Sequence, residues 1–211
     1  MVWAIGDIHG CLRSLDKLIQ EISPSEHDTL VFLGDYIDRG SDSKGVVDYL
    51  IELSKKINCI FLRGNHEQML LDVVDAGDDT YLWLMNGAQA TWRSYGNLEL
   101  LKINDEHMRF YRSTRYYHII DNYFFVHGGV RPNIPVEKQD VRDLIWIREE
   151  FISKMHNLGY TVIFGHTPFE DIFIGIDKIG IDTGCVYGGK LTAYNVTLSE
   201  KVQVNCLNEK Y

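Results

Sequence analysis

The chain has 211 residues, 45% of them hydrophobic, with 30 acidic against 21 basic side chains and a formal net charge of -9. This is the composition of an ordinary globular protein, long enough to bury a core without staples, and it is read as one domain over 1–211. The acidic balance argues against a nucleic-acid partner, which needs basic surface to release counterions, and no apolar run approaches the ~18 residues of a membrane span.

Along the chain, short apolar runs alternate with amphipathic ones. Val2–Ile5 reads as a strand ended by Gly6-Asp7, and Leu12–Ile22 has helical spacing at Leu12, Leu15, Leu18, Ile19 and Ile22. Thr29–Leu33 is a second strand ended by Gly34-Asp35, and Val46–Leu53 is again helical. Cys59–Leu62 is a third strand, ended by Arg63-Gly64-Asn65-His66. This order predicts an α/β half built on a largely parallel sheet. The middle, from Glu67 to Arg115, reads mostly helical, and its Tyr81–Trp92 stretch with Trp83, Met85 and Trp92 is read as core ahead of a helical cap over the site. Tyr116–Ile120 and Tyr123–Val126 form a predicted hairpin around Asp121-Asn122, ended by His127-Gly128-Gly129. A helix is predicted over Asp143–Leu158, then a strand over Thr161–Phe164 ended by Gly165-His166. The tail, with runs at Ile172–Ile174, Ile179–Ile181, Leu191–Val196 and Val202–Cys206, reads as successive antiparallel strands.

The N-terminus carries neither a basic region nor a long apolar stretch, so a cytoplasmic location is expected; the protein is also expected to be a monomer. Cys11, Cys59, Cys185 and Cys206 form no C-x-x-C pair and are expected as reduced, buried thiols. Cys11 lacks the surrounding loop of a cysteine nucleophile and is assigned a structural role.

Five apolar strands thus end in Asp, His or Asn beside Gly: GDIHG at 6–10, GDYIDRG at 34–40, GNHE at 64–67, HGG at 127–129 and GHTP at 165–168. In α/β sheets ligands bind outside the carboxyl ends of strands, so parallel ordering gathers these residues at one edge. Asp7 and His9, two apart, point the same way from an extended segment and offer a carboxylate and an imidazole to one cation. Asp35 has two oxygens with which to bridge two cations, and Asn65, His127 and His166 complete the second. Mixed nitrogen and oxygen donors favour manganese, iron or zinc over an all-oxygen calcium site. Each residue alone has a plainer role, Asp as a helix cap or His as a structural hydrogen-bonding group, but together they would require several coincidences. Two divalent cations about 3.5–4 Å apart lower the pKa of a water between them and clamp phosphoryl oxygens, the chemistry of phosphoester hydrolysis.

These strings, GDYIDRG above all, resemble those of the phosphoprotein phosphatase family of metallophosphoesterases, nearest to the small bacterial and phage-type serine/threonine phosphatases. The resemblance spans Gly6 to Pro168. It implies a four-layer α/β fold, a β-sandwich of mixed sheets flanked by helices, where the residues alone would have suggested one open sheet. It also implies two divalent cations, manganese first. His66, next to Asn65, becomes the general acid that protonates the leaving oxygen, and Asp38 its hydrogen-bond partner. Arg39 matches the family arginine that contacts phosphate, and Arg148 in LIWIREE is the best match for a second, with Arg131 and Arg142 as competitors. Arg63 and Glu67 are expected to be structural, and His27, His107, His118 and His156 lie outside the motifs.

The substrate implied is a phosphoprotein bearing phosphoserine or phosphothreonine, with phosphotyrosine or a small phosphoester also open. The rival is a symmetrical dinucleoside polyphosphate hydrolase, which shares GDIHG and the ligands. An inactive metal-binding scaffold is disfavoured because no expected ligand is missing and His66 is present.

Overall fold

The first three apolar runs become parallel strands joined by helices. β1 (Val2–Ile5) leads to α1 (Leu12–Ile22), β2 (Thr29–Phe32) to α2 (Ser43–Ser54), and β3 (Asn58–Phe61) to α3 (Asn65–Leu71). A helical crossover returns the chain in its original direction, so β1, β2 and β3 pair in parallel, with Val2 opposite Thr29 and Thr29 opposite Asn58. The computed structural model describes residues 1–96, 102–206 and 209. The helical reading of the middle holds for α4 (Tyr81–Met85), α5 (Ala88–Ser94) and α6 (Asp105–Ser113), while 97–101 lies outside the described residues.

β4 (Tyr117–Ile120) and β5 (Tyr123–Val126) form the expected hairpin. The helix predicted over 143–158 is instead two short ones, α7 (Val141–Trp146) and α8 (Glu149–Ile152). The reason is packing: Ile145, Ile147 and Phe151 are all buried, and an extended Ile147 (φ -62°, ψ 143°) turns its side chain inward between the two helices. Arg148, which follows it, is exposed. The chain continues through β6 (Thr161–Phe164), β7 (Phe173–Ile174), β8 (Lys178–Gly180), β9 (Lys190–Asn195) and β10 (Glu200–Asn205).

The tail is not one antiparallel run. The sheets have the orders β10-β9-β1-β2-β3 and β4-β5-β6-β8-β7. β8 lies parallel to β6, while β9 crosses to the other sheet and pairs antiparallel with β1. Apolar alternation marks these segments as strands but carries no information on which neighbour they join.

Alternation does fix the layers. Trp3, Ile5, Leu30 and Phe32 face α1 and α2, whereas Ala4, Val31 and Leu33 meet Phe125, Ile163 and Ile179 between the sheets. On the far side Phe124, Val126, Val162 and Phe164 pack under Leu144, Ile145 and Phe151 of α7 and α8. Three apolar interfaces separate four layers, helix, sheet, sheet and helix.

The thiol expectation fails for one pair. Cys185 and Cys206 form a disulfide, because the end of β10 returns beside the turn before β9, where the Cys206 N–H donates to Gly189 O at 3.0 Å. Cys11 and Cys59 are free. Among the described residues no helix is long and apolar enough to cross a membrane.

Candidate metal centre

The parallel strands of both sheets aim their carboxyl ends at one place. β1 delivers Asp7 and His9, β2 Asp35, β3 Asn65, β5 His127 and β6 His166, all at most 4% exposed. Five residues in or beside this cluster have left-handed backbones: His9 (φ 47°), Asp35 (53°), Asp38 (71°), Arg39 (67°) and His166 (62°). Such conformations are costly for residues with side chains and concentrate where geometry serves function. Gly34 allows the tight approach, since a Cβ there would sit 2.5 Å from the backbone nitrogen of Gly64.

Asp35 lies at the middle. Its Oδ2 is 3.4 Å from His9 Nε2, and its Oδ1 is 3.4 Å from His127 Nε2. Two tight donor groups share it, His9–Asp35–His66 and Asp35–His127–His166, with donor atoms within 4.8 Å of one another. Asp35 is thus common to both groups. Asp7 stands outside both groups and takes the His166 N–H on its two oxygens at 3.1 and 3.0 Å. His66, expected as an acid and not as a ligand, lies in the first group, its Nε2 3.8 Å from Asp35 Oδ2.

Proton accounting tests whether cations fit. His127 Nδ1 donates to Leu33 O at 3.0 Å, so in the neutral ring Nε2 carries a lone pair, and it faces Asn65 Oδ1 at 3.0 Å as well as Asp35. Acceptors gathered around a point without a proton are what a cation satisfies. His9 repeats the pattern: Nδ1 donates to Ile37 O at 2.8 Å, and the Nε2 lone pair accepts from Arg39 Nη1 at 2.8 Å, a cationic group beside the donor atom. His166 Nε2 is buried without a protein partner. Burial, then neighbouring positive groups, hold His9 and His166 well below the ordinary imidazole range, and burial lowers His127, so these rings are poised as neutral ligands. The residues fit a pair of divalent cations.

The comparisons agree. Residues 1–201 match the family described as calcineurin-like phosphoesterase. The serine/threonine-protein phosphatase 1 of Salmonella typhimurium is 34% identical over 200 residues, covering 90% of this chain and 89% of that protein. The chain belongs to the calcineurin-like metallophosphoesterases. The likeness to phosphoprotein phosphatases therefore holds, and the protein is a phosphoester hydrolase. Another metallophosphoesterase, the asymmetrical bis(5'-nucleosyl)-tetraphosphatase PrpE of Oceanobacillus iheyensis, is 29% identical over 230 residues, covering 95% of this chain and 90% of its own. A crystal structure described as a candidate diadenosine tetraphosphatase superposes with a TM-score of 0.77 at 26% identity, covering 98% of this chain and 94% of that one.

Other groups complete this metallophosphoesterase site. His66 Nδ1 lies 2.6 Å from Asp38 Oδ2, both fully buried, and its Nε2 has no protein partner. Burial opposes charge on His66, but the Asp35 carboxylate and the Asp38 hydrogen bond outweigh it and raise its pKa above the ordinary value. Arg148 sits at the start of α8, and its charge reaches His127, His166 and Asp182. Arg131 is engaged, paired with Asp143 at 2.6 Å and Glu150 at 2.9 Å, and Arg142 lies on α7 beside a groove shared with Ile145 and Trp146. Glu67 accepts from the N–H groups of Asp35 (2.9 Å), Tyr36 (2.8 Å) and Gly64 (2.9 Å), tying GDYIDRG to GNHE. Burial, then the Asp35 charge, push it up to about 7. Arg63 spreads over the Tyr111, Arg112 and Thr114 carbonyls, a structural role as expected. His107 bonds Asp48 and His156 bonds Asp177, away from the metal ligands.

Asp182 was not singled out from sequence. It is buried at the end of β8, and burial, then the Asp35 charge, push it up to about 6. The signal was present, since Ile181-Asp182-Thr183-Gly184 repeats the pattern of an apolar strand ending in Asp near Gly.

Proposed function

We propose that this metallophosphoesterase is a phosphoprotein phosphatase that hydrolyses phosphoserine and phosphothreonine, with phosphotyrosine as a secondary substrate. The observation that carries the reading is the buried His66–Asp38 pair with His66 Nε2 unpartnered. A serine or threonine alkoxide is a poor leaving group and needs a proton as the P–O bond breaks, whereas a departing nucleotide phosphate is already a stable anion. A dedicated imidazole, held through Nδ1 by Asp38, is therefore most useful to an alkyl phosphomonoesterase.

Asp7, His9, Asp35, Asn65, His127 and His166 would hold divalent cations, manganese first by donor chemistry and by family, with iron or zinc next, and these would supply Lewis-acid charge and a more acidic water. Arg39 and Arg148 bind the remaining phosphoryl oxygens with charges that do not titrate. His66 gives its proton from Nε2 to the leaving oxygen, and Asp38 holds the imidazolium through Nδ1. Glu67 fixes the two loops that present Asp35 and Asn65.

One feature favours a second reading, dinucleoside polyphosphate hydrolysis. A groove of about 560 Å³ lies between Leu82 on α4 and Val141, Arg142, Ile145 and Trp146 on α7. The Trp146 ring also meets the His166 ring edge-on at 5.9 Å, so an indole surface on which a base can stack adjoins the site. The deciding measurement is kcat/KM with manganese for a phosphoserine peptide against diadenosine tetraphosphate. The peptide is expected to lead by roughly tenfold or more, about 1.4 kcal/mol. A lead for the dinucleotide would overturn the first reading in favour of the second.

A further inference from the structure

Asp38 makes more bonds than its partnership with His66 needs. Its Oδ2 accepts from His66 Nδ1 at 2.6 Å and also from Trp83 Nε1 at 2.7 Å. Its Oδ1 accepts from Thr91 Oγ1 at 2.5 Å. The hydroxyl protons then run one way. Thr91 spends its proton on Asp38, so its oxygen accepts from Ser43 Oγ at 3.0 Å and from the Asp38 N–H at 2.9 Å. Asp38, His66, Ser43 and Thr91 are fully buried and Trp83 is 1% exposed, so no solvent relaxes this arrangement.

Trp83 is not placed there simply because every buried indole finds a partner. Its neighbour Trp92, whose ring lies 6.2 Å away, keeps a buried N–H with none. Nor is α4 pinned by its apolar surface, since Tyr81, Leu82 and Met85 are 69%, 57% and 68% exposed. Trp83 is the buried residue of that helix, and its polar atom ends on Asp38.

We infer that Trp83 and Thr91 are positioning residues for the general acid. This rests on the reading of His66 as that acid. Asp38 lies in an irregular loop with a left-handed backbone (φ 71°), and its carboxylate would otherwise rotate about its last bond. Donors on both oxygens fix the carboxylate plane. The plane fixes the His66 ring through Nδ1, and the ring fixes where Nε2 presents its proton. Proton transfer tolerates misplacement of about 0.5 Å or 10–20°, so loosening the carboxylate weakens the acid without removing it.

The test is a ratio. A weakened acid matters more when the leaving oxygen is more basic, so p-nitrophenyl phosphate and phenyl phosphate, nearly the same size, are compared under saturating manganese. Trp83→Phe keeps the ring and removes the N–H. Thr91→Val keeps the shape and removes the hydroxyl, and Thr91→Ser restores it. For Trp83→Phe and Thr91→Val, the kcat ratio of p-nitrophenyl to phenyl phosphate is expected to rise by roughly tenfold, with KM little changed, and Thr91→Ser is expected to keep the wild-type ratio. His66→Asn serves as reference and is expected to raise the ratio further. Equal losses on both substrates, or no loss, in Trp83→Phe and Thr91→Val while His66→Asn shifts the ratio would overturn the positioning role and leave His66 as the acid. An unshifted ratio in His66→Asn would remove the acid itself, and the positioning role with it. Should Trp83→Phe not fold, the near-isosteric Thr91 pair decides alone.

Discussion

At the scale of single residues, the site stores charge that the fold alone does not neutralise. Asp7 is buried, with Asp182 and Asp35 as carboxylate neighbours; burial first, then those charges, push its pKa well above 3.8. A carboxylate whose pKa rises on folding stabilises the fold, relative to neutral pH, only while protonated, so above its raised value the metal-free protein carries the cost of the anion. Asp7→Asn keeps the shape and removes the charge. Without metal at pH 7, the variant is expected to be more stable than wild type by about 1–3 kcal/mol, and with saturating manganese the order reverses. Calorimetric melting with chelator and with metal checks both signs; a variant less stable in chelator would defeat the charge argument. Arg39→Ala and Arg148→Ala are each expected to lower kcat/KM by roughly 10- to 1000-fold, about 1.4–4 kcal/mol. Arg131→Ala should leave turnover largely intact, because its guanidinium is engaged by Asp143 and Glu150; steady-state kinetics on all three variants would show an error in this assignment. Asp7, His9, Asp35, Asn65, His66, His127 and His166 were legible as one cluster because they follow five apolar strands, where local spacing dictates placement. Trp83 was legible only as core, because its partner Asp38 lies 45 residues away.

At the scale of elements, the chain's last described residue secures its first helix. The residue before α1 is Cys11, which makes no side-chain cap, and the first turn has no acidic residue. Glu209 supplies both: its carboxylate accepts from the N–H groups of Arg13 and Ser14, each at 2.9 Å, and from the Ser14 hydroxyl. The Glu209 carbonyl also accepts from Ser41 N at 3.0 Å, just beyond GDYIDRG. A buried carboxylate at a helix N-terminus satisfies orphan donors and the helix dipole together. Glu209→Ala is therefore expected to cost about 1–2 kcal/mol, read as a lower urea midpoint at unchanged slope, with Glu209→Gln intermediate. An unchanged midpoint would mean that water caps α1 equally well. Such a cap is invisible to a reading that looks for Ser, Thr, Asp or Asn beside the helix start. The same limit explains the split of the tail between sheets and the Cys185–Cys206 bond: pattern identifies a strand, but pairing is decided by the assembled core.

At the scale of the whole molecule, the site is a joint between two sheets. Asp7, His9, Asp35 and Asn65 come from the sheet containing β1, β2 and β3, and His127 and His166 from the sheet containing β5 and β6. Without cations, this joint sets Asp35 against the lone pairs of imidazoles from both sides. A cation pair would bind across it, so binding free energy becomes stability of the sandwich, about 2.7 kcal/mol at a metal concentration one hundred times Kd. Acid acts on the same joint. His9, His127 and His166 have folded values below 6.5, so the unfolded chain takes up their protons first. Their stabilisation is complete above 6.5 and is lost as pH falls from there toward the folded values. His66, raised above 6.5, has the opposite sign, contributing most below 6.5 and losing that contribution as pH rises through its folded value. The raised carboxylates Asp7, Asp182 and Glu67 share the sign of His66, because protonating them relieves the cost of a buried anion. In metal-free protein these groups oppose the three rings, so Asp7→Asn, which removes one of them, is expected to lose more melting temperature than wild type as pH falls from about 7 to about 4. At pH 7.5, manganese should raise that temperature with concentration and slow amide exchange in β5 and β6, which supply ligands, more than in β4, which does not. Equal slowing across all strands would show that the cations stabilise the molecule without acting at the joint between its sheets.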